Sequence, residues 1–451
     1  MDEFDVVVVG AGLSGLVAAR RLWQRGIRRI VVFEAAKRVG GRVVNQRVDA
    51  DTIVEGGGQW AGPSQDRVLA LARELGVPTF PSYFQGRSVL VLGGKRRTYR
   101  SDVPYTFPLI ALDQMRALAR LDAMSRRIDV ERPWAAENAA ELDKQTLDEF
   151  FRRQLRTNGA RQILDVISGL TFGGDPADIS LLGVLTHIRS ADGLGKLLDM
   201  RGGAQELRFA GGSQRLALRM AEELGATVEL GHVVTHIETT AESARVRTRD
   251  RVVQARRVIV ALSPADRRAI EFHPPLPPAL AEATRRITTH TGLKTHAVYR
   301  RPFWRAAGLS GQAMGLGPAR WVVDNSPPDA HLGILTAFVA STGPVAPTEP
   351  QLTDHALRKA AIIDCLAHYF GPEAHHPIDY LEQDWRTEPF TAGCIPTVPP
   401  GLLTGLGAEA TAHYGPIIWA GAEQSHVWNA YMDGAVRAGE RAATLALNLL
   451  T

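Results

Sequence analysis

Phe4-Asp-Val-Val-Val-Val-Gly10-Ala-Gly12-Leu-Ser-Gly15 opens the chain with a β-branched run that stops at a glycine. Four valines in a row suit a strand buried on both faces. Leu13 to Gln24 then carries apolar residues at helical spacing, and residues 27–33 form a second strand-like run that ends at Glu34. Gly10, Gly12 and Gly15 stand as G-x-G-x-x-G between the strand and the helix, and Glu34 lies 19 residues past Gly15. These glycines let backbone approach a pyrophosphate at the helix N-terminus, and the carboxylate can accept from a ribose hydroxyl. The unit therefore predicts dinucleotide binding. A bare glycine pattern would be weak evidence; strand, helix and acid together make it specific.

Two further loops distinguish among dinucleotides. Arg38-Val-Gly40-Gly41-Arg42 follows Glu34 closely, and Arg42 can offer a bidentate fork to phosphate. Glu55-Gly-Gly57-Gly58-Gln59-Trp60-Ala-Gly-Pro63 is another segment built for close backbone approach. Such loops suit a long, extended cofactor such as FAD better than a compactly bound NAD.

Composition narrows the class. With 451 residues, two or three domains are expected. Net charge is only +4 and the longest basic run is Lys95-Arg-Arg, so nucleic acid is not an expected partner. The N-terminus lacks the pattern of a secretory signal, and no apolar run reaches the roughly 18 residues of a membrane span. A cytoplasmic protein with no membrane partner and no metal is expected. The two cysteines, 365 and 394, do not suggest a disulfide. Cys394 sits in a Gly/Pro-punctuated loop, Trp385 to Gly401, between cofactor-like segments. Either it holds a cofactor or it is an ordinary free thiol. Only six of the 52 Lys and Arg residues are lysine. Lys294, in the alternating strand Gly-Leu-Lys-Thr-His-Ala-Val-Tyr, is the informative one: lysine can shift its pKa and hold a water, and arginine cannot.

Nucleotide-type elements recur along the chain. Strands are expected near residues 227–230, 233–237, 244–248, 257–262 and 416–421, with helices at 64–78, 355–370 and 434–450. A helical block fills 108–200, and strands with one helix alternate over 290–385.

These blocks together resemble the flavin-containing amine oxidases of the monoamine oxidase family, nearly end to end. The matching segments are Gly10 to Gly15, Glu34 with Gly40-Gly41-Arg42, Gly57 to Gln65, Gln205 to Ser213, Leu293-Lys294 with Pro302-Phe-Trp304, Trp385 to Gly401, and Gly421 through Glu440. The resemblance implies an α/β fold. A discontinuous Rossmann-like FAD-binding domain would take 1–78, 205–285 and 390–451. An α+β substrate-binding domain with a helical insertion would take 79–204 and 286–389. It implies FAD as cofactor, a small-molecule amine and O2 as reactants, and leaves a homodimer open.

Residue by residue, the resemblance places Val233 at the adenine, and Glu423 and Met432 near the flavin. Gln59, Trp60 and Trp385 fall in cofactor-contacting segments. Lys294 matches the lysine that holds a water at flavin N5. Tyr431 matches one wall of an aromatic cage around the substrate nitrogen. The other wall should follow the cysteine, and here it is Ile395. Cys394 matches the residue that bonds the flavin in covalent members, although the loop to Pro399-Pro400 is one residue shorter. Leu170, Leu198 and Gln205 match substrate-cavity positions, and Trp321 replaces an acid found in diamine-specific relatives. Trp60, Trp321, Trp428, Tyr83 and Phe172 are candidates to restore aromatic lining. The implied reaction oxidises an amine, preferably a monoamine, to an imine. The same fold also carries desaturases of the porphyrinogen or carotenoid type, and a non-catalytic flavin-binding protein is the third reading.

Overall fold

The computed structural model describes residues 2–105, 107–290, 292–339, 348, 353–411 and 413–451. Strand β1 (Asp2–Val9) enters the middle of an eight-stranded sheet, and its four valines are almost completely buried. It runs parallel to β2 (Ile30–Glu34) on one side and to Val252–Val260 on the other. Val228–Leu230 extends the sheet beyond β2, and Ala244–Thr248, Val234–Thr239 and Glu271–His273 extend it the other way. Ile417–Trp419 adds in parallel to Val252–Val260, so the last quarter of the chain returns to the first sheet. The Val252 strand is longer than the sequence suggests. Its first half pairs with the adjacent Ala244–Thr248 and its second half with Ile417–Trp419, and only the second neighbour is remote in sequence.

Helix α1 (Leu13–Gln24) lies against this sheet and against the final helix Met432–Leu450. Two glycines allow these close approaches. A Cβ on Gly15 would come within 2.0 Å of the Gly10 carbonyl oxygen, and one on Gly439 within 2.4 Å of the Ser14 carbonyl oxygen. Burial of Leu16, Val17, Ala19, Leu22, Val436 and Ala443 completes this layer.

A second sheet of seven strands runs in the order Asp379–Asp384, Leu293–Tyr299, Gly333–Val339, Ala319–Asp324, Leu309–Gly315, Arg87–Leu92 and Lys95–Tyr99. The basic run at Lys95 is thus an exposed edge strand. All seven residues of Leu293–Tyr299 are buried, where the sequence predicts alternation. Helices between Pro108 and Leu198 form a separate apolar cluster around Leu147, Phe151, Leu181 and Leu185. The cavity described next is lined from both sheets and from this helical block.

Candidate active site

A cavity of about 1120 Å³ runs from the end of β2 to the helical block. Typical small-molecule sites measure about 300–1,000 Å³, so this one has room for a large cofactor and a second ligand. Its first portion is lined by Gly10, Gly12, Ser14, Glu34, Gly40 and Gly41. The N-terminus of α1 has no side-chain cap, and a Cβ placed on Gly12 would meet nothing within 4 Å. Uncapped helical N–H groups therefore face open space, an arrangement that favours a pyrophosphate. The carboxylate of Glu34 accepts the amide of Ala11 at 2.7 Å and that of Ala36 at 2.8 Å, one on each oxygen. It braces the two loops and keeps a second lone pair on each oxygen. Burial raises its pKa, and the backbone hydrogen bonds oppose that rise. Gly231 and His232 donate to the carbonyls of Ala36 and Glu34, which sets Val233 into the cavity wall beside β2.

The middle portion joins segments far apart in sequence. Arg42 Nη1 donates to Glu423 Oε1 at 2.5 Å and to the Cys394 carbonyl at 2.9 Å. One nitrogen of its fork, Nη1, thus holds protein groups. The other oxygen of Glu423 is buried with no hydrogen-bond partner among the described residues. Gly57, Gly58, Gln59 and Trp60 line the cavity with Trp385, whose indole N–H donates to the Gly56 carbonyl at 2.9 Å. Met432, the first residue of the final helix, brings a second uncapped helix N-terminus to the same cavity. Two helix termini, an open glycine cradle and a carboxylate at the strand end fit an extended dinucleotide such as FAD.

Lys294 stands at the third portion, 4% exposed, and its Nζ donates to the Gly57 carbonyl at 2.9 Å and to Gln59 Oε1. Burial pushes its pKa down to about 7; Glu55 opposes the shift and Arg208 adds to it. Gln59 is fixed in turn by Asn325, and the buried Arg208–Glu55 pair stands behind them at 3.2 Å. The Lys294 ammonium lies 5.5 Å from the Trp60 ring and 5.3 Å from the Phe338 ring. Trp60, Trp321 and Phe338 form one aromatic wall, with centroids 5.1 to 5.9 Å apart.

Opposite residue classes form the remaining wall. Tyr431 immediately precedes the final helix, and its presentation depends on Trp428 and Ala430, both at positive φ (50° and 63°). Non-glycine residues adopt this conformation only when surroundings hold them there. Here Trp428 N–H donates to the Ser190 carbonyl at 2.8 Å, and Asn429 donates to the carbonyls of Glu423 and Ser425. Leu170, Gln205, Trp321, Ile395 and Cys394 also line the cavity. Ile395 begins a short strand that pairs with Thr288–His290, so Cys394 sits in the bend immediately before that ladder. Burial raises the Cys394 thiol pKa, and Arg42 and Lys294 counteract this. The half-buried Cys394 is therefore the cysteine facing the cavity; Cys365 lies elsewhere, beside the Ala319 carbonyl.

Several expected residues stand back from the cavity. Gly15 serves helix–strand packing, and Glu423 supports Arg42. Leu198 ends a short helix and packs on the helical core. Among the aromatic candidates, Trp60 and Trp321 line the cavity. Phe172 and Trp428 are core residues behind it, and Tyr83 lies under the Arg305 guanidinium. Among the lining residues that escape the sequence reading are Phe338, opposite Lys294 in the sheet register, and His187. The first could have been found only from strand pairing. Among the described residues, no cluster of His, Cys, Asp and Glu suits a metal, and no helix is long and apolar enough to cross a membrane.

The profile of the flavin-containing amine oxidoreductases matches residues 13–447. The chain is 41% identical over 449 residues to AofH of Mycobacterium tuberculosis, whose name marks it provisionally as a flavin-containing monoamine oxidase; the match covers 99% of this chain and 97% of that one. Against flavin-containing amine oxidase A of Bos taurus identity is 32%, over 99% of this chain and 85% of the other. Among solved structures, a putrescine oxidase bound to putrescine superposes with a TM-score of 0.91 at 32% identity, and cyclohexylamine oxidase from Brevibacterium oxydans with 0.92 at 28%. Each covers 99% of both chains.

Proposed function

The chain belongs to the flavin-containing amine oxidoreductases, and from that premise we propose that it oxidises a monoamine to an imine, with O2 reduced to H2O2. The chemistry that FAD supplies when bound is two-electron acceptance from a carbon–nitrogen bond and onward reduction of O2. Gly10, Gly12, Glu34 and Val233 would hold its adenosine end. Arg42, Gly57, Gly58, Trp385 and Met432 would frame the rest. Cys394, facing the cavity among them, would carry an 8α-thioether. Lys294 would fix a water through its one uncommitted N–H, since Gly57 and Gln59 take the other two of the ammonium form. Tyr431 would offer a π face to the substrate nitrogen. Loss of two hydrogens from the amine gives the imine, and water then hydrolyses it to a carbonyl compound.

The monoamine preference rests on one observation: Trp321 joins Trp60 and Phe338 in a wall of three aromatic rings, which themselves offer no carboxylate to a distal ammonium. The test is peroxide release from a panel of benzylamine, hexylamine, cyclohexylamine and putrescine. The expected order places the monoamines above putrescine in kcat/KM. No peroxide from any amine would refute the oxidase reading, and a dominant putrescine rate would refute the preference.

A further inference from the structure

His187 stands in the cavity wall. Its ring lies 5.8 Å from Tyr431, tilted by 37°, and meets Phe172 edge-on at 5.8 Å. Nε2 is buried and makes no hydrogen bond among the described residues. Burial alone lowers its pKa to about 4, so the ring is neutral at physiological pH. A neutral imidazole carries one N–H and one bare nitrogen lone pair, which makes it an acceptor as well as a donor.

Its place beside Tyr431 is fixed by the backbone. His187 lies on the helix Leu181–Ser190, and the end of that helix anchors the turn before Tyr431. The Ser190 carbonyl receives the amide of Trp428 at 2.8 Å, and Ser190 Oγ receives that of Asn429 at 3.3 Å. Trp428 then meets the Tyr431 ring edge-on at 5.1 Å. The two rings therefore belong to one hydrogen-bonded unit. Nε2 itself has no accessible surface, so the nitrogen a ligand can reach is Nδ1, on a ring that lines the cavity and is not wholly buried.

We propose that His187 is a specificity-determining residue: it accepts a hydrogen bond from the substrate's amine N–H beside Tyr431, on the flank where Ile395 offers only an aliphatic surface. The ligand class is a primary or secondary amine with an apolar substituent. Hydrocarbon contacts go to Leu170 and Ile395, and the nitrogen goes to the His187–Tyr431 pair. This rests on the amine-oxidase reading above, yet it concerns binding rather than electron transfer, so the two can fail separately.

The experiment is a titration of the flavin-loaded protein, read from perturbation of the flavin absorbance. One probe is cumylamine, which has no hydrogen on the carbon bearing nitrogen and cannot be oxidised there. The other is tert-butylbenzene, of similar shape and without a donor. Wild type is expected to bind the amine more tightly than the hydrocarbon. His187→Phe keeps a ring and removes both nitrogens; it should weaken the amine by about 10-fold, the order of one hydrogen bond, and change the hydrocarbon by less than about 2-fold. His187→Leu should do the same, and it decides the matter if the Phe variant does not fold. His187→Gln, which restores an acceptor, should recover part of the preference. Equal weakening of both probes, unchanged amine binding in the Phe and Leu variants, no recovery in the Gln variant, or no amine preference in wild type would each overturn the assignment.

Discussion

Arg42 Nη1 meets Glu423 Oε1 at 2.5 Å, which ties the loop after β2 to a segment 381 residues later in the chain. The Glu423 side chain is 6% exposed and that of Arg42 23%. The same guanidinium holds the Cys394 carbonyl, so one ion pair sets three borders of the cavity.

Removing one partner leaves the other charge buried without its hydrogen-bonded counter-ion. Arg42→Ala should cost about 3–5 kcal/mol, the usual penalty for breaking a buried pair. It should also lower flavin content, because both the Glu423 and the Cys394 segments lose their anchor. A urea melt and the ratio of flavin to protein absorbance check this. A variant with full flavin content and wild-type stability would show that the pair is dispensable.

Lys294 makes a prediction about pH. Its folded pKa is near 7, against about 10.4 in an unfolded chain. Between those values the unfolded state binds more protons than the folded state, so this residue makes stability rise with pH across that window. The slope from one such group approaches about 1.4 kcal/mol per pH unit. Lys294→Met should remove that contribution, seen as a smaller gain between pH 7.5 and 9.5 in denaturant melts. The same variant should keep its flavin yet slow flavin reduction or reoxidation in stopped-flow traces. Wild-type rates in both half-reactions would reduce Lys294 to a structural role.

Cys394 predicts the state of the flavin after denaturation. Wild-type protein precipitated with acid should stay yellow and gain the mass of one FAD, and Cys394→Ala should release its flavin into the supernatant. Quantitative release from wild type would mean that the thiol is only a neighbour of the ring.

Trp321 predicts a change of selectivity. Its ring closes the wall formed with Trp60 and Phe338. Trp321→Glu places a carboxylate there, so kcat/KM for putrescine relative to hexylamine should rise by about 10-fold or more, the order of one charged hydrogen bond. An unchanged ratio would show that the far end of the substrate lies elsewhere.

The dinucleotide unit was legible in the sequence because its signals are local. A valine run, three glycines and an acid at fixed spacing dictate strand, turn and helix within 34 residues, and the structure forms them in that order. Lys294 was legible for a different reason, its rarity in an arginine-rich chain and its residue type. The resemblance to flavin amine oxidases supplied the cofactor and several of the cavity residues.

Other features depended on contacts that no local pattern encodes. The Arg42–Glu423 pair exists because Ile417–Trp419 returns to the first sheet beside Val252–Val260. Phe338 reaches the site because its strand pairs with that of Lys294. His187 carries no local signal; it stands beside Tyr431 because Ser190, three positions on, anchors the turn that presents Tyr431. Sequence by itself determined the elements whose energetics are set by neighbours along the chain. The tertiary structure decided which distant side chains share a cavity, because desolvation, ring stacking and ion pairing act only between groups the fold has already brought together.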